Sequence, residues 1–262
     1  MQTTMMMRCY LLVCSVRWLQ ALQAPRPHRA SSPLRASPPA TDDRAPTAQW
    51  LTRLALAGAA LGPVCDNFHS AAGVLGYTKH RVAFGVAPDW WGGGHLLQTA
   101  AWVPPLFALA ALIIGGIDAL VSAYKPPPPH LATPAGRRVG TVVAAFVLLY
   151  ALSALLATSL APAAEAVVLW PLALLLWRRC DPTLASFVAG ASTAIGGPAI
   201  EAALLGGGGR FPEPFGHLYA YAHPDLLGVE SWILPVYFAG GPAVALVSRW
   251  LRRGGAGYGV AQ

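Results

Sequence analysis

The chain has 262 residues, of which 55% are apolar and only 11% charged, with a net charge of +7 and a mean hydropathy of +0.49. A soluble domain of this size carries roughly 25% charged residues, so a water-facing globule is excluded and an integral membrane protein is implied. No zinc spacing, phosphate loop or interleaving of aromatic and basic residues accompanies the positive charge, which therefore speaks to membrane topology and not to nucleic acid.

Residues 1 to about 47 hold six arginines, no lysine, and no acid before Asp42 and Asp43. With "CYLLVCSVRWLQALQA" followed by "APRPHRASSPLRASPPA", they read as a signal segment plus a transit segment, the two-part leader of a plastid bounded by extra membranes; a disordered tail is the alternative. The four cysteines, Cys9, Cys14, Cys65 and Cys180, define no disulfide framework.

Six spans are predicted in residues 48–262, because a helix crossing about 30 Å of hydrocarbon needs about 20 residues with every backbone group paired internally. They are Trp50 to Val64, Leu96 to Ile117, Val139 to Leu160, Ala161 to Trp177, Thr183 to Leu205 and Trp232 to Trp250. The fold class is all-α, a polytopic bundle of six transmembrane helices. Basic residues in short loops collect on the cytoplasmic or equivalent side. An even span count puts Lys125, Arg137, Arg138, Arg178, Arg179, Arg249, Arg252 and Arg253 on one face and most acids on the other. The proline run in "YKPPPPHLATPAGRR" is expected to be a stiff spacer.

Glu201 is the most pointed candidate on residue chemistry alone. An ionisable group within a span costs at least about 2.5 kcal/mol at the helix centre and faces a cavity or partner. Two readings stay open: a polar anchor or general acid, or a side chain reaching interfacial water at the span's end. Glu165 poses the same choice at the start of span four, and Asp118 reads as an interfacial cap. Asp66, His69 and His95 lack a metal-defining spacing and imply no metal. Trp90, Trp91 and Trp102 read as an interfacial aromatic belt. His223, Asp225 and Glu230 precede span six and are expected to form a structural clasp across the Pro224 turn.

Three segments, in order, resemble the Insig (insulin-induced protein) family: "AAWVPPLFALAALIIGG", "WRRCD", and "YAYAHPDLLGVESWILPVYFAGGPAVALVSRWL". The last is the most specific, and the resemblance covers most of the chain from about residue 96. It implies six spans and a non-enzymatic regulator in the endoplasmic reticulum that binds oxysterols within the bundle and retains membrane partners such as Scap and HMG-CoA reductase. It also implies sterol or partner contacts at Phe146, Trp177 and Asp181, and an aspartate ending span two at Asp118. The family's glutamine at the start of span four falls on Ala163 or Ala164, and the arginines after its aspartate are replaced by "PTLAS".

Three functions fit these readings. The first is a protein binding a membrane lipid, sterol or isoprenoid, through Phe146, Trp177 and Glu201, and holding a second polytopic protein through Asp181. The second is a plastid enzyme acting on an isoprenoid lipid with Glu201 as general acid. The third is an assembly scaffold without a ligand. None requires a cofactor.

Overall fold

The computed structural model describes residues 48–86, 95–207, 209 and 218–254. Residues 1–47, expected to form a leader, and Trp90 and Trp91 lie outside them. Seven helices occur among the described residues: α1 (Ala48–Ala71), α2 (Val103–Tyr124), α3 (Pro129–Ala132), α4 (Gly136–Ala157), α5 (Pro162–Cys180), α6 (Leu184–Leu204) and α7 (Ile233–Gly254). Six are long, and α2, α4 and α6 are long and apolar enough to cross a membrane. At 1.5 Å per residue these three span about 31 to 33 Å. Helices α1, α5 and α7 are of similar length but less apolar along their length.

Two corrections to the predicted elements concern the loops. The chain is mostly helical but not all-α: β1 (Leu75–Tyr77) pairs antiparallel with β4 (Tyr219–Tyr221), and β2 (Arg81–Phe84) pairs with β3 (Leu97–Ala100). The residues from Leu96 assigned to span two thus form a strand, and α2 begins at Val103. Pro104 and Pro105 explain the shift. Neither has an N–H to give, which suits the first turn of a helix, where no intrahelical partner is lost. Helix α1 also outruns its predicted end, continuing past Pro63 to Ala71.

Close backbone contact sets the bundle's tightest crossing. Helices α6 and α7 form the most extensive helix pair, and a Cβ on Gly241 would lie 2.3 Å from the Gly190 backbone. The glycines of "FAGGPAV" therefore permit the approach, as small residues do between membrane helices. Around it α4, α5 and α7 supply a continuous core that includes Leu149, Leu169, Ala173, Val236, Phe238 and Leu246.

Candidate functional site

Pairing of β1 with β4 brings the segment after α1 against the segment before α7, with Leu75 opposite Tyr221 and Tyr77 opposite Tyr219. Because side chains two apart on a strand share a face, Tyr219 and Tyr221 point the same way, toward the end of α6. There Glu201, only 6% exposed, accepts three phenolic hydrogen bonds. Tyr219 donates to Oε2 at 2.9 Å and Tyr221 to the same oxygen at 2.6 Å, while Tyr237 of α7 donates to Oε1. Burial first, then the negative charge of Glu201, holds the hydroxyls of Tyr219 and Tyr221 well above the ordinary phenol range, so both remain donors. Trp102 backs the cluster, its ring 5.2 Å from that of Tyr219.

Glu201 and Tyr237 end a cavity of about 200 Å³ whose walls come from α1, α2, α4, α6 and α7. Leu61, Phe107, Ile114, Phe146 and Val244 make the walls apolar, and Tyr150 adds one hydroxyl. Of the sequence-predicted ligand positions, the structure therefore brings Phe146 and Glu201 together. It does not bring Trp177 to them. Trp177 lies at the α5–α6 junction, donating from Nε1 to the Thr183 carbonyl at 3.2 Å and packing on Phe187 at 5.1 Å.

That junction belongs to a second buried polar centre. Arg249, 4% exposed near the end of α7, donates from Nε to Asp118 at 3.0 and 3.1 Å and from Nη1 to Asp181 at 3.1 Å. Its Nη2 also pairs with Asp118 and reaches Thr183 Oγ at 3.2 Å. Its Nη1 also reaches the Leu131 carbonyl in α3 at 3.3 Å, so the segment after the proline run is a ligand of the centre and not only a spacer. Arg252 adds a contact to Asp118 at 2.8 Å. Burial raises the Asp181 carboxyl pKa, and Arg249 pulls it back only in part.

The centre revises three expectations. Asp118 and Asp181 are both fully buried, so Asp118 is no interfacial cap and Asp181 offers no surface to a partner in this state. Arg249, counted as a loop charge for orientation, is internal. The physical reason is common to all three: opposite charges on α2, on the residue just after α5 and on α7 meet and can leave water together.

Glu165 is buried as well, contrary to the interfacial expectation, and neither carboxyl oxygen has a hydrogen-bond partner among the described residues. Its place in the first turn of α5 puts it beside the positive end of the helix dipole. The clasp before α7 has a different composition from that expected. Glu230 accepts from the backbone N–H of His223 at 2.7 Å and from the Trp232 indole, and Asp225 accepts from Ser231 N–H and Oγ at 2.7 Å each. The imidazole of His223 is exposed and takes no part. Leu227 at φ 51° and Gly228 at φ 91° close the turn.

His69, buried at 2%, bonds Ser153 Oγ at 2.9 Å and packs 4.3 Å from the Trp232 ring. Asp66 accepts from Tyr77. His95 is exposed, and no group of three metal-ligating side chains occurs among the described residues.

Sequence reasoning missed the tyrosines around Glu201 and the pairing of Arg249 with two aspartates. A signal existed for each. A membrane-buried acid requires donors, and "YAY" offered two on one strand face; a lone arginine in the last span required acids at its own depth.

A bundle of long apolar helices around an apolar cavity, with Glu201 in its wall, defines a helical membrane protein. No family model matches the chain, and no curated relative matches it. Its fold is that of the Insigs: it is similar to the 1.9 Å crystal structure of a mycobacterial Insig homologue, MvINS from Mycobacterium vanbaalenii, with a TM-score of 0.60. The likeness covers 78% of this chain and 95% of that one at 24% identity. A cross-linked trimer of MvINS is similar to the same degree. The likeness gives this chain an Insig-like fold.

Proposed function

We propose that this chain is a non-enzymatic, Insig-like regulator that binds a sterol or isoprenoid lipid in its helix bundle and, according to occupancy, holds or releases another polytopic membrane protein. It acts in the membrane to which its leader delivers it, plastid or endoplasmic reticulum. The observation that carries the reading is the apolar cavity ended by Glu201 and walled by Phe146. A buried carboxylate with three phenol donors is an expensive feature for a bundle that only fills space, and apolar walls with few convergent polar groups are what small-molecule sites have. The enzyme reading has less support, because no His, Asp or second Glu lines the cavity beside Glu201 to share acid–base work.

Lipids carried by the protein after mild purification from its own membranes, identified by mass spectrometry, test this. Ala110 lines the cavity, so Ala110→Phe fills it, and this variant should lose the lipid that wild type enriches. Trp177→Ala, outside the cavity, should keep it. Only bulk membrane lipid on wild type would favour the scaffold instead.

A further inference from the structure

We infer that the outer edge of α4 and α5, at the Arg249 end of the bundle, binds the phosphate of an anionic phospholipid through Arg137 and Arg178, with the lipid's chains lying along the two helices. The site is separate from the cavity and does not depend on what the cavity holds. Geometry brings the charges together. Arg138, in the first turn of α4, donates from Nε to the carbonyl of Cys180, the last residue of α5, at 3.1 Å. The start of α4, with Arg137 and Arg138, is thereby held against the end of α5, with Arg178 and Arg179. Arg137 and Arg178 are exposed. Trp250 of α7 adds an N–H donor beside them: it is 42% exposed, and its Nε1 lies 3.7 Å from where a Cβ on Gly136 would stand.

The charge balance at this edge selects an anion. Among the described residues, the carboxylates at this end of the bundle are Asp118 and Asp181, both buried and both paired with Arg249. Asp66, Glu165, Glu201, Asp225 and Glu230 lie toward the opposite end, in the last turns of α1 and α6, the first turn of α5 and the loop before α7. A guanidinium fork matches phosphate oxygens, and basic clusters between helices at a membrane surface bind such head groups. The side chains beneath the arginines make the phosphate a lipid's. On α4, Gly140, Thr141 and Ala144 are exposed three, four and seven residues after Arg137; on α5, Val167, Pro171 and Leu174 are exposed eleven, seven and four residues before Arg178. These spacings put each set on one helix face with its arginine, and the space outside Gly140 is open. Each arginine thus heads an uncharged stripe, as a head group stands over its chains.

The test titrates the full-length protein, in one mild detergent, with dioleoylphosphatidylglycerol or dioleoylphosphatidylcholine and reads the fraction carrying one lipid by native mass spectrometry. Wild type should bind phosphatidylglycerol about tenfold more tightly than phosphatidylcholine. Arg137→Gln and Arg178→Gln, both at exposed positions, should each weaken phosphatidylglycerol about fivefold, the worth of one basic residue at a membrane surface, and R137Q/R178Q should bring it close to phosphatidylcholine. Lys125→Gln removes a charge from the same end of the bundle but from the end of α2, which packs mainly on α1, α6 and α7, and should change binding by about twofold or less. Inorganic phosphate at about 10 mM and constant ionic strength should leave the lipid bound. Equal binding of the two lipids by wild type, an unchanged preference in R137Q/R178Q, or a loss as large in K125Q overturns the site. Displacement by inorganic phosphate overturns the assignment to a lipid.

Discussion

Replacing Arg249 by Met puts the buried ionic centre under direct test. In wild type one guanidinium serves Asp118, Asp181, Thr183 and the Leu131 carbonyl, with its side chain 3% exposed and both aspartate side chains fully buried. Met keeps the length and apolar bulk of the stem while removing every one of these donors. Asp118 retains the contact to Arg252, whose side chain is 33% exposed, but Asp181 loses the one ion pair seen for it among the described residues. Breaking a buried pair by deleting one member costs about 3–5 kcal/mol, because the survivor is left uncompensated. At roughly 2–4 °C per kcal/mol for a chain of this size, the melting midpoint should fall by about 6–20 °C. The measurement is thermal unfolding of the purified protein in one mild detergent, read by intrinsic tryptophan fluorescence. The reasoning also requires that R249M/D118N/D181N, which removes the stranded charges, regain a large part of that loss. A midpoint within 2 °C of wild type for R249M, or no recovery in the triple variant, would refute it; the two-degree limit is about 1 kcal/mol on the same scale.

Two further predictions concern packing and the clasp. Gly241→Ala forces a Cβ toward the Gly190 backbone, so it should destabilise by about 1–3 kcal/mol through overpacking, seen as a lower melting midpoint; an unchanged midpoint would mean the α6–α7 crossing is looser than described. Asp225→Ala removes both bonds to Ser231 and should cost about 1 kcal/mol, whereas His223→Ala should stay within about 0.5 kcal/mol, since only the backbone of His223 is used. Equal effects at the two positions, measured by the same unfolding assay, would show that the imidazole does contribute.

The balance between sequence and structure is clearest residue by residue. Composition alone required a membrane bundle, since apolar runs of about 20 residues with few charges have no other stable solvent, and six long helices follow the predicted order. Glu201 was singled out by its cost in a span, and Gly240 and Gly241 by their small size between helices; both arguments are local and need no neighbour. The strands were not legible, because β1, β3 and β4 are short pieces beside apolar segments, and pairing between segments more than 140 residues apart leaves no periodic mark.

The same limit governs the polar centres. From sequence, Asp118, Asp181 and Arg249 could each be a loop or interfacial charge, since hydropathy measures depth along one helix and is blind to what lies across from it. Tertiary structure decided that these three meet, that Glu201 meets Tyr219, Tyr221 and Tyr237, and that Phe146 shares a cavity with Glu201 while Trp177 does not. One-dimensional patterns report how much a residue costs in hydrocarbon; only the crossing of helices determines which partner offsets that cost.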